Sequence, residues 1–115
     1  MPTIIDFAER LQSDASFSLE GHKLGEVTNS VILVDFPQDG MGPRLHCHPY
    51  TEMFILLEGE ARFTVGDEEA LVRAGQIAIA PPNTPHKFAS FGPGPLKLVA
   101  IQSSPKFQTE SLEGE

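Results

Sequence analysis

The stretch Gly40-Met41-Gly42-Pro43-Arg44-Leu45-His46-Cys47-His48-Pro49-Tyr50-Thr51-Glu52-Met53-Phe54-Ile55-Leu56-Leu57-Glu58-Gly59 decides how this chain is read. His46 and His48 are two residues apart. On an extended segment side chains alternate, so both imidazoles leave the same face. Cys47 then points the other way, where a thiol serves as a small buried hydrophobe. Pro49-Tyr50-Thr51 breaks the strand, and Glu52 opens the next one with its carboxylate able to return to the face of the two histidines. Arg44 shares the parity of His46, which would bring its guanidinium to the mouth of a cavity as a partner for a substrate anion. Phe54 shares the parity of Glu52. Met53, Ile55 and Leu57 make the opposite face of the same strand apolar, and a strand apolar on both faces is buried on both. A second subunit or the N-terminal segment would have to cover it, and the expectation is a homodimer.

Outward from this stretch the chain reads as strands. Runs rich in β-branched and aromatic residues alternate with Gly, Pro, Asn and Asp, predicting strands at 16–19, 23–27, 30–36, 44–48, 52–57, 61–65, 70–73, 76–80, 86–90 and 96–103. Such short, regularly spaced strands make an all-β sandwich or barrel, here spanning about 17–105 as one domain. Gly66-Asp67 suits a tight hairpin turn, and Pro81-Pro82-Asn83 with Pro85 marks a turn that cannot join a ladder. Before the barrel, Ile4, Phe7, Ala8 and Leu11 recur at helical spacing within Met1–Ser13, and Asp6 with Glu9 resembles a capping box. This N-terminal arm covers 1–16. After the barrel, 106–115 is an acidic tail, and Thr109–Glu115 is expected to fray.

His86 follows the Pro-rich turn at the start of a later strand, which a closed barrel can lay beside the first. His46, His48 and His86 with Glu52 then form a donor set for a divalent first-row metal (Fe, Mn, Ni, Zn, Cu or Co), because imidazole nitrogens disfavour Ca and Mg. Four protein ligands leave positions open, as catalytic sites do. Phe54 and Phe88 share the parity of ligands and would face the cavity. Phe63 joins them unless a bulge at Gly59 resets the alternation. Gln102, near the end of the last long strand, adds a polar candidate, and His22 reads as a surface or rim residue.

The spacing also resembles a known family. Gly40, five residues, His46-Cys47-His48, three residues, Glu52, six residues and Gly59 match the first cupin motif. Gly75, five residues and Pro81, then His86, match the second. Asn83 stands where that motif usually has Gly, and Ser90 where it usually has Asn. Asn tolerates a left-handed backbone best among non-Gly residues. Ser90 removes no ligand but leaves one hydrogen bond of the motif open. The resemblance implies a double-stranded β-helix (jelly-roll) cupin barrel with a metal inside, and often a homodimer.

Composition narrows the function. The 115 residues carry 8 basic against 16 acidic side chains and a formal charge of −8. Phosphate backbones and acidic membrane surfaces are held by Lys and Arg, so neither nucleic acid nor membrane is an expected partner. One cysteine forbids an intramolecular disulfide, and with no signal-like start the expected location is cytoplasmic. The leading expectation is a metal-dependent enzyme of the oxygenase, decarboxylase or isomerase type acting on a small oxygenated, anionic compound. Glu52, besides ligating, is the candidate base, with Asp35 and Tyr50 as the only other candidates. The alternative is a non-catalytic binding protein for a small molecule, in which the metal fixes the ligand or the fold.

Overall fold

The computed structural model describes residues 2–113, apart from the side chains of Gln12 and Ser13. The described strands are β1 (Ser16–Leu19), β2 (Ser30–Phe36), β3 (His46–Cys47), β4 (Glu52–Glu58), β5 (Glu60–Val65), β6 (Glu68–Arg73), β7 (Ile77–Ala80), β8 (His86–Phe91), β9 (Leu96–Gln102) and β10 (Glu110–Ser111). They form two five-stranded sheets, ordered β1-β2-β9-β4-β7 and β10-β3-β8-β5-β6, with antiparallel pairing throughout. This is the jelly-roll that the family resemblance implies, within the all-β class predicted by the strand pattern.

Register and alternation divide each strand between the inside and the outside. In the first sheet Ser18, Ile32, Ala100, Phe54 and Ala78 lie in one inward row. Between the sheets the core is apolar. Phe54, Phe63 and Phe88 meet with ring centroids 5.0 to 5.6 Å apart, and Leu56, Leu96 and Leu98 are almost fully buried. Aromatic pairs at this spacing add to the stabilisation from area burial alone.

The outer faces differ in kind. On the second sheet Arg62, Thr64, Glu69 and Lys87 neighbour one another across the strands, a face made for water. On the first sheet two outward rows run across all five strands, Phe17-Leu33-Val99-Ile55-Ile77 and Leu19-Val31-Ile101-Met53-Ile79. All ten side chains are apolar, and Ile77 and Ile79 are more than half exposed, at 56% and 53%. The N-terminal segment does not cover the exposed end. Helix α1 (Ala8–Ser13) packs at β1, with Phe7 stacked on Phe17 at 6.5 Å and Arg10 over the same ring. β1 and β7 are opposite edges of the sheet.

Four local expectations are corrected. Residues 23–27 form no strand; a 3-10 turn at Gly21–Leu24 stands there. A Cβ on Gly21 would lie 2.2 Å from the Asn29 carbonyl oxygen, so the chain doubles back here too tightly for extension. The strand expected at 44–48 shrinks to His46–Cys47 between Pro43 and Pro49. Phe7, not Asp6, occupies the helix N-cap position, although Asp6 Oδ1 still accepts the Ala8 N–H at 3.1 Å. The tail does not fray over its described part: Glu110 and Ser111 pair with Cys47 and His46, and the Leu112 N–H reaches the Leu45 carbonyl at 3.0 Å. Met1, Gly114 and Glu115, included in the expected helix and tail, lie outside the described residues.

The turns follow the expected chemistry. Val65 pairs with Glu68 around Gly66-Asp67, and only Gly66 takes a positive φ, +64°, the II′ pattern. Asn83 has φ 59° and donates its N–H to the His48 carbonyl at 2.6 Å. Ser90 Oγ accepts the Met41 N–H at 2.9 Å and donates to the Gln38 carbonyl at 2.6 Å, which supplies a hydrogen bond at the position where the motif departs from Asn.

Candidate metal centre

Short β3 holds His46, and the chain leaves it through His48 into the Pro49 turn. β4 begins at Glu52 and β8 at His86. His46 and His86 are direct cross-strand partners, and Glu52 is opposite Gln102 on β9. The two sheets thereby deliver the side chains to one point inside the barrel. The rings of His46, His48 and His86 lie 4.4 to 5.1 Å apart, centroid to centroid. One nitrogen from each and a Glu52 oxygen all lie within 4.8 Å of one another. His48, Glu52 and His86 are 2 to 3% exposed, while His46 is half-buried.

Hydrogen bonding fixes which nitrogen faces inward. The Nδ1 of His46, His48 and His86 lies 2.6, 2.9 and 3.0 Å from the main-chain carbonyls of Arg44, Gln108 and Thr84. A carbonyl only accepts, so each Nδ1 carries its proton and donates it. The Nε2 of a neutral ring then presents a lone pair. Two of these lone pairs face Glu52 Oε1, from His48 at 3.0 Å and from His86 at 3.1 Å. The fully buried His48 Nε2 has no well-directed hydrogen bond despite that approach. Lone pairs facing an ionised carboxylate repel unless protons or a cation lie between them. A divalent ion satisfies all of them at once, and donors bound at about 2.1 Å lie about 3 Å apart when adjacent, as the His–Glu contacts do. The residues therefore fit a divalent transition metal, and their carbonyl-anchored Nδ1 groups are the partners that orient metal-binding imidazoles.

Electrostatics favour the charged carboxylate. Burial alone would raise the Glu52 pKa, but the contacts with His48 and His86 outweigh it and hold the group at about 2. Burial lowers His46, and its neighbouring imidazoles add to this against the pull of the Arg44 carbonyl. Burial also opposes charge on His48, yet Glu52 and the Gln108 carbonyl raise it overall. The second Glu52 oxygen is held by Gln102, whose Nε2 donates to Oε2 at 3.2 Å. The Gln102 carbonyl oxygen in turn accepts the Tyr50 hydroxyl, and that hydroxyl accepts the Gln108 N–H at 3.0 Å.

The metal-facing side opens on a cavity of about 490 Å³. Phe54, Phe88 and Gln102 line it, together with Ile32, Val34, Phe36, Leu98 and Ala100. Phe63 is 3% exposed and stands behind Phe54 and Phe88 rather than in the wall. Arg44 is outside as well. It lines a separate outer groove with Arg62, Lys87 and Glu113, because Pro43 and the shortness of β3 end the alternation on which its inward placement relied. His22 lies in the 3-10 turn, 3.4 Å from Glu20. Asp35 alternates with the cavity residues Val34 and Phe36 and so points to the other face. Cys47 is half-buried with its Sγ 3.8 Å from Glu110, and burial followed by that carboxylate raises its thiol pKa.

Sequence reasoning missed the contribution of the tail. Phe107 and Thr109 line the cavity, and Gln108 holds His48 and Tyr50. The only signal was Phe107, a lone aromatic in an otherwise polar segment. Ser16 and Ser18, at the exposed rim, were missed because β1 had no partner assigned before the sheet order was known.

The comparisons agree with this architecture. Residues 32–102 match the model of the cupin domain. An uncharacterized protein of Methanocaldococcus jannaschii is 38% identical over 71 residues, 60% of this chain and 55% of that protein. Mannose-1-phosphate guanylyltransferase RfbM of Salmonella typhimurium is 41% identical over 56 residues, 49% of this chain but 12% of that enzyme. The chain thus spans about half of the first relative and about an eighth of the second. Among solved structures, a Klebsiella pneumoniae protein with a double-stranded β-helix domain superposes with a TM-score of 0.75 at 22% identity, covering 99% of this chain and 100% of that one. Lactobacillus farciminis oxalate decarboxylase, in its formate complex, gives 0.74 at 22% identity over 84% of this chain and 30% of its own. With the family model covering more than half of the chain and the jelly-roll present in full, this protein belongs to the cupin family.

Proposed function

We propose that this cupin is a metal-dependent enzyme acting on a small oxygenated compound, with His46, His48, Glu52 and His86 as ligands. The observation that carries the reading is the convergence of three imidazoles, each anchored through Nδ1 on a main-chain carbonyl, and one ionised carboxylate at the end of an apolar cavity. A bound divalent ion would supply Lewis acidity, or oxygen chemistry if it is iron. The chain's own residues do the rest. Glu52 supplies negative charge, Gln102 holds its second oxygen, and the apolar wall offers the body of a ligand surface to bury against. Oxygenation, decarboxylation and isomerisation all suit such a centre, and a shared fold at 22% identity with oxalate decarboxylase does not choose among them.

A second reading, a small-molecule binding protein with a ligand-fixing metal, is favoured by one observation. The titratable side chains in the cavity lining are His46, His48 and Glu52, all of them in the donor set, so none stands apart for acid–base work. Elemental analysis of the purified protein followed by oxygen uptake and product analysis with a panel of diketones, keto acids and catechols separates the two. Turnover of a panel member supports the enzyme. Saturable binding with no turnover supports the binding protein, and purification free of transition metal, with no uptake on reconstitution, overturns both.

We also propose that a second copy of the chain covers the apolar outer face of β4 and β7. Its support is the contrast between the two outer faces and the docking of α1 at the opposite edge. A contiguous apolar face of this extent is unusual on a monomer.

A further inference from the structure

We infer that the cavity selects a monoanionic oxygen chelator carried on an apolar body, and discriminates against chelators that bring a second carboxylate. The inference rests on the metal-centre reading and concerns the half of the ligand that does not touch the ion.

The charge inventory of the cavity is short. Among the described residues Glu52 is its one anionic lining side chain, and no Lys or Arg lines it. Arg44, the cation that sequence parity would have sent there, is elsewhere. Arg44, Arg62 and Lys87 line the outer groove, where Glu69 and Glu113 are also found. Lys106, next to Phe107 at the mouth, is exposed and outside the lining. A divalent ion with Glu52 leaves one net positive charge, which a single anionic chelating head neutralises. A further carboxylate would lie against Ile32, Val34, Phe36 and Leu98 with no cationic partner among the described lining residues, only the hydroxyls of Ser16, Ser18 and Thr109 at hand. Desolvating an unpaired charge is among the costliest events in a protein interior. Sites built for dicarboxylates meet the far carboxylate with an Arg fork, which is absent from this lining. What the wall does offer is apolar surface, completed by Phe88 stacked on Phe36 at 6.1 Å and by Phe107 from the C-terminal segment. An apolar ligand body gains from burial there in proportion to its area.

Two α-keto acids test this, because they share the chelating head and differ in the tail. The protein is loaded with Co²⁺, and binding is read from the change in the visible absorption of the bound ion as each acid is titrated. 4-Methyl-2-oxopentanoate is expected to bind at least tenfold more tightly than 2-oxoglutarate. Ser18 is exposed at the cavity rim, so Ser18→Arg adds a cation without burying it, and this variant should narrow the ratio severalfold by improving 2-oxoglutarate. Failure of the wild-type protein to take up Co²⁺ would sink the metal-centre reading. Uptake of Co²⁺ with equal or preferred binding of 2-oxoglutarate, or with no binding of either acid, would overturn the present inference and leave the metal centre standing.

Discussion

The main-chain carbonyl of Gln108 accepts the Nδ1 proton of His48 at 2.9 Å, and the N–H of the same residue donates to Tyr50. Tyr50 leads through Gln102 to Glu52. One residue of the C-terminal segment therefore orients two of the four proposed ligands. The segment is held in turn by the Phe107 N–H on Glu20 at 2.9 Å and by Glu113 Oε1, which accepts the Leu45 N–H at 2.7 Å. Removing the hydroxyl in Tyr50→Phe should weaken metal binding about tenfold, the lower end of what outer partners of ligands contribute. Competition with a chromophoric chelator measures this, and the far-ultraviolet circular dichroism should stay unchanged. An affinity equal to wild type would mean the relay has no hold on Glu52.

Strand geometry makes a contrast between adjacent residues. His48→Ala removes a ligand and should lower metal affinity by two orders of magnitude or more, since ligand loss exceeds the roughly 10–100-fold cost of losing an outer partner. Cys47→Ala alters a side chain that faces Glu110, away from the ion, and should leave metal content within about twofold of wild type. Metal analysis after dialysis distinguishes them, and comparable losses in both would contradict the alternation.

Metal affinity should fall as pH drops through the histidine range near 6.5 and level off above it, because each ligand imidazole must be without its Nε2 proton. His46, lowered by burial, gives up its proton more readily than a free imidazole, whereas His48, raised overall, holds its proton to higher pH. Glu52 stays ionised down to about 2 and does not set this midpoint. For the metal-free protein the signs separate. The depressed Glu52 contributes stability that is fully present above its unfolded value of 4.5 and is lost as pH falls towards about 2. The raised His48 contributes stability that is present below 6.5 and is lost as pH rises through its folded value. Denaturant midpoints of metal-free protein across this range should rise from acid towards neutrality and then decline. A midpoint still rising above the histidine range would refute the assignment for His48.

The outer face of the first sheet predicts an assembly. The wild-type chain should sediment at twice its 12.5 kDa mass. Ile77 and Ile79 are exposed on edge strand β7, so Ile77→Glu with Ile79→Glu should yield a folded monomer that keeps its metal. A monomeric wild-type protein at micromolar concentration would remove the proposed cover.

Much of this architecture was readable in residue order. Alternation put His46 and His48 on one face, and the turns at Gly66-Asp67 and Pro81-Pro82-Asn83 behaved as their chemistry requires. What failed was whatever depended on distant chain. Residues 23–27 have strand-like composition, but the approach of Gly21 to Asn29 forces a turn. Arg44 has the right parity, yet its strand is too short for parity to apply. The tail is polar and acidic, so nothing local shows that its main chain pairs with β3. Backbone hydrogen bonds leave no mark on composition, and only the sheet order reveals them.

The three imidazoles take their aim from peptide oxygens at positions 44, 84 and 108. Every amino acid carries that oxygen, so exchanging the side chain at any of these places leaves the ring's anchor intact. The ion's cradle is written in the path of the chain, and the walls around it are free to be rewritten for a new substrate without dismantling the chemistry they enclose.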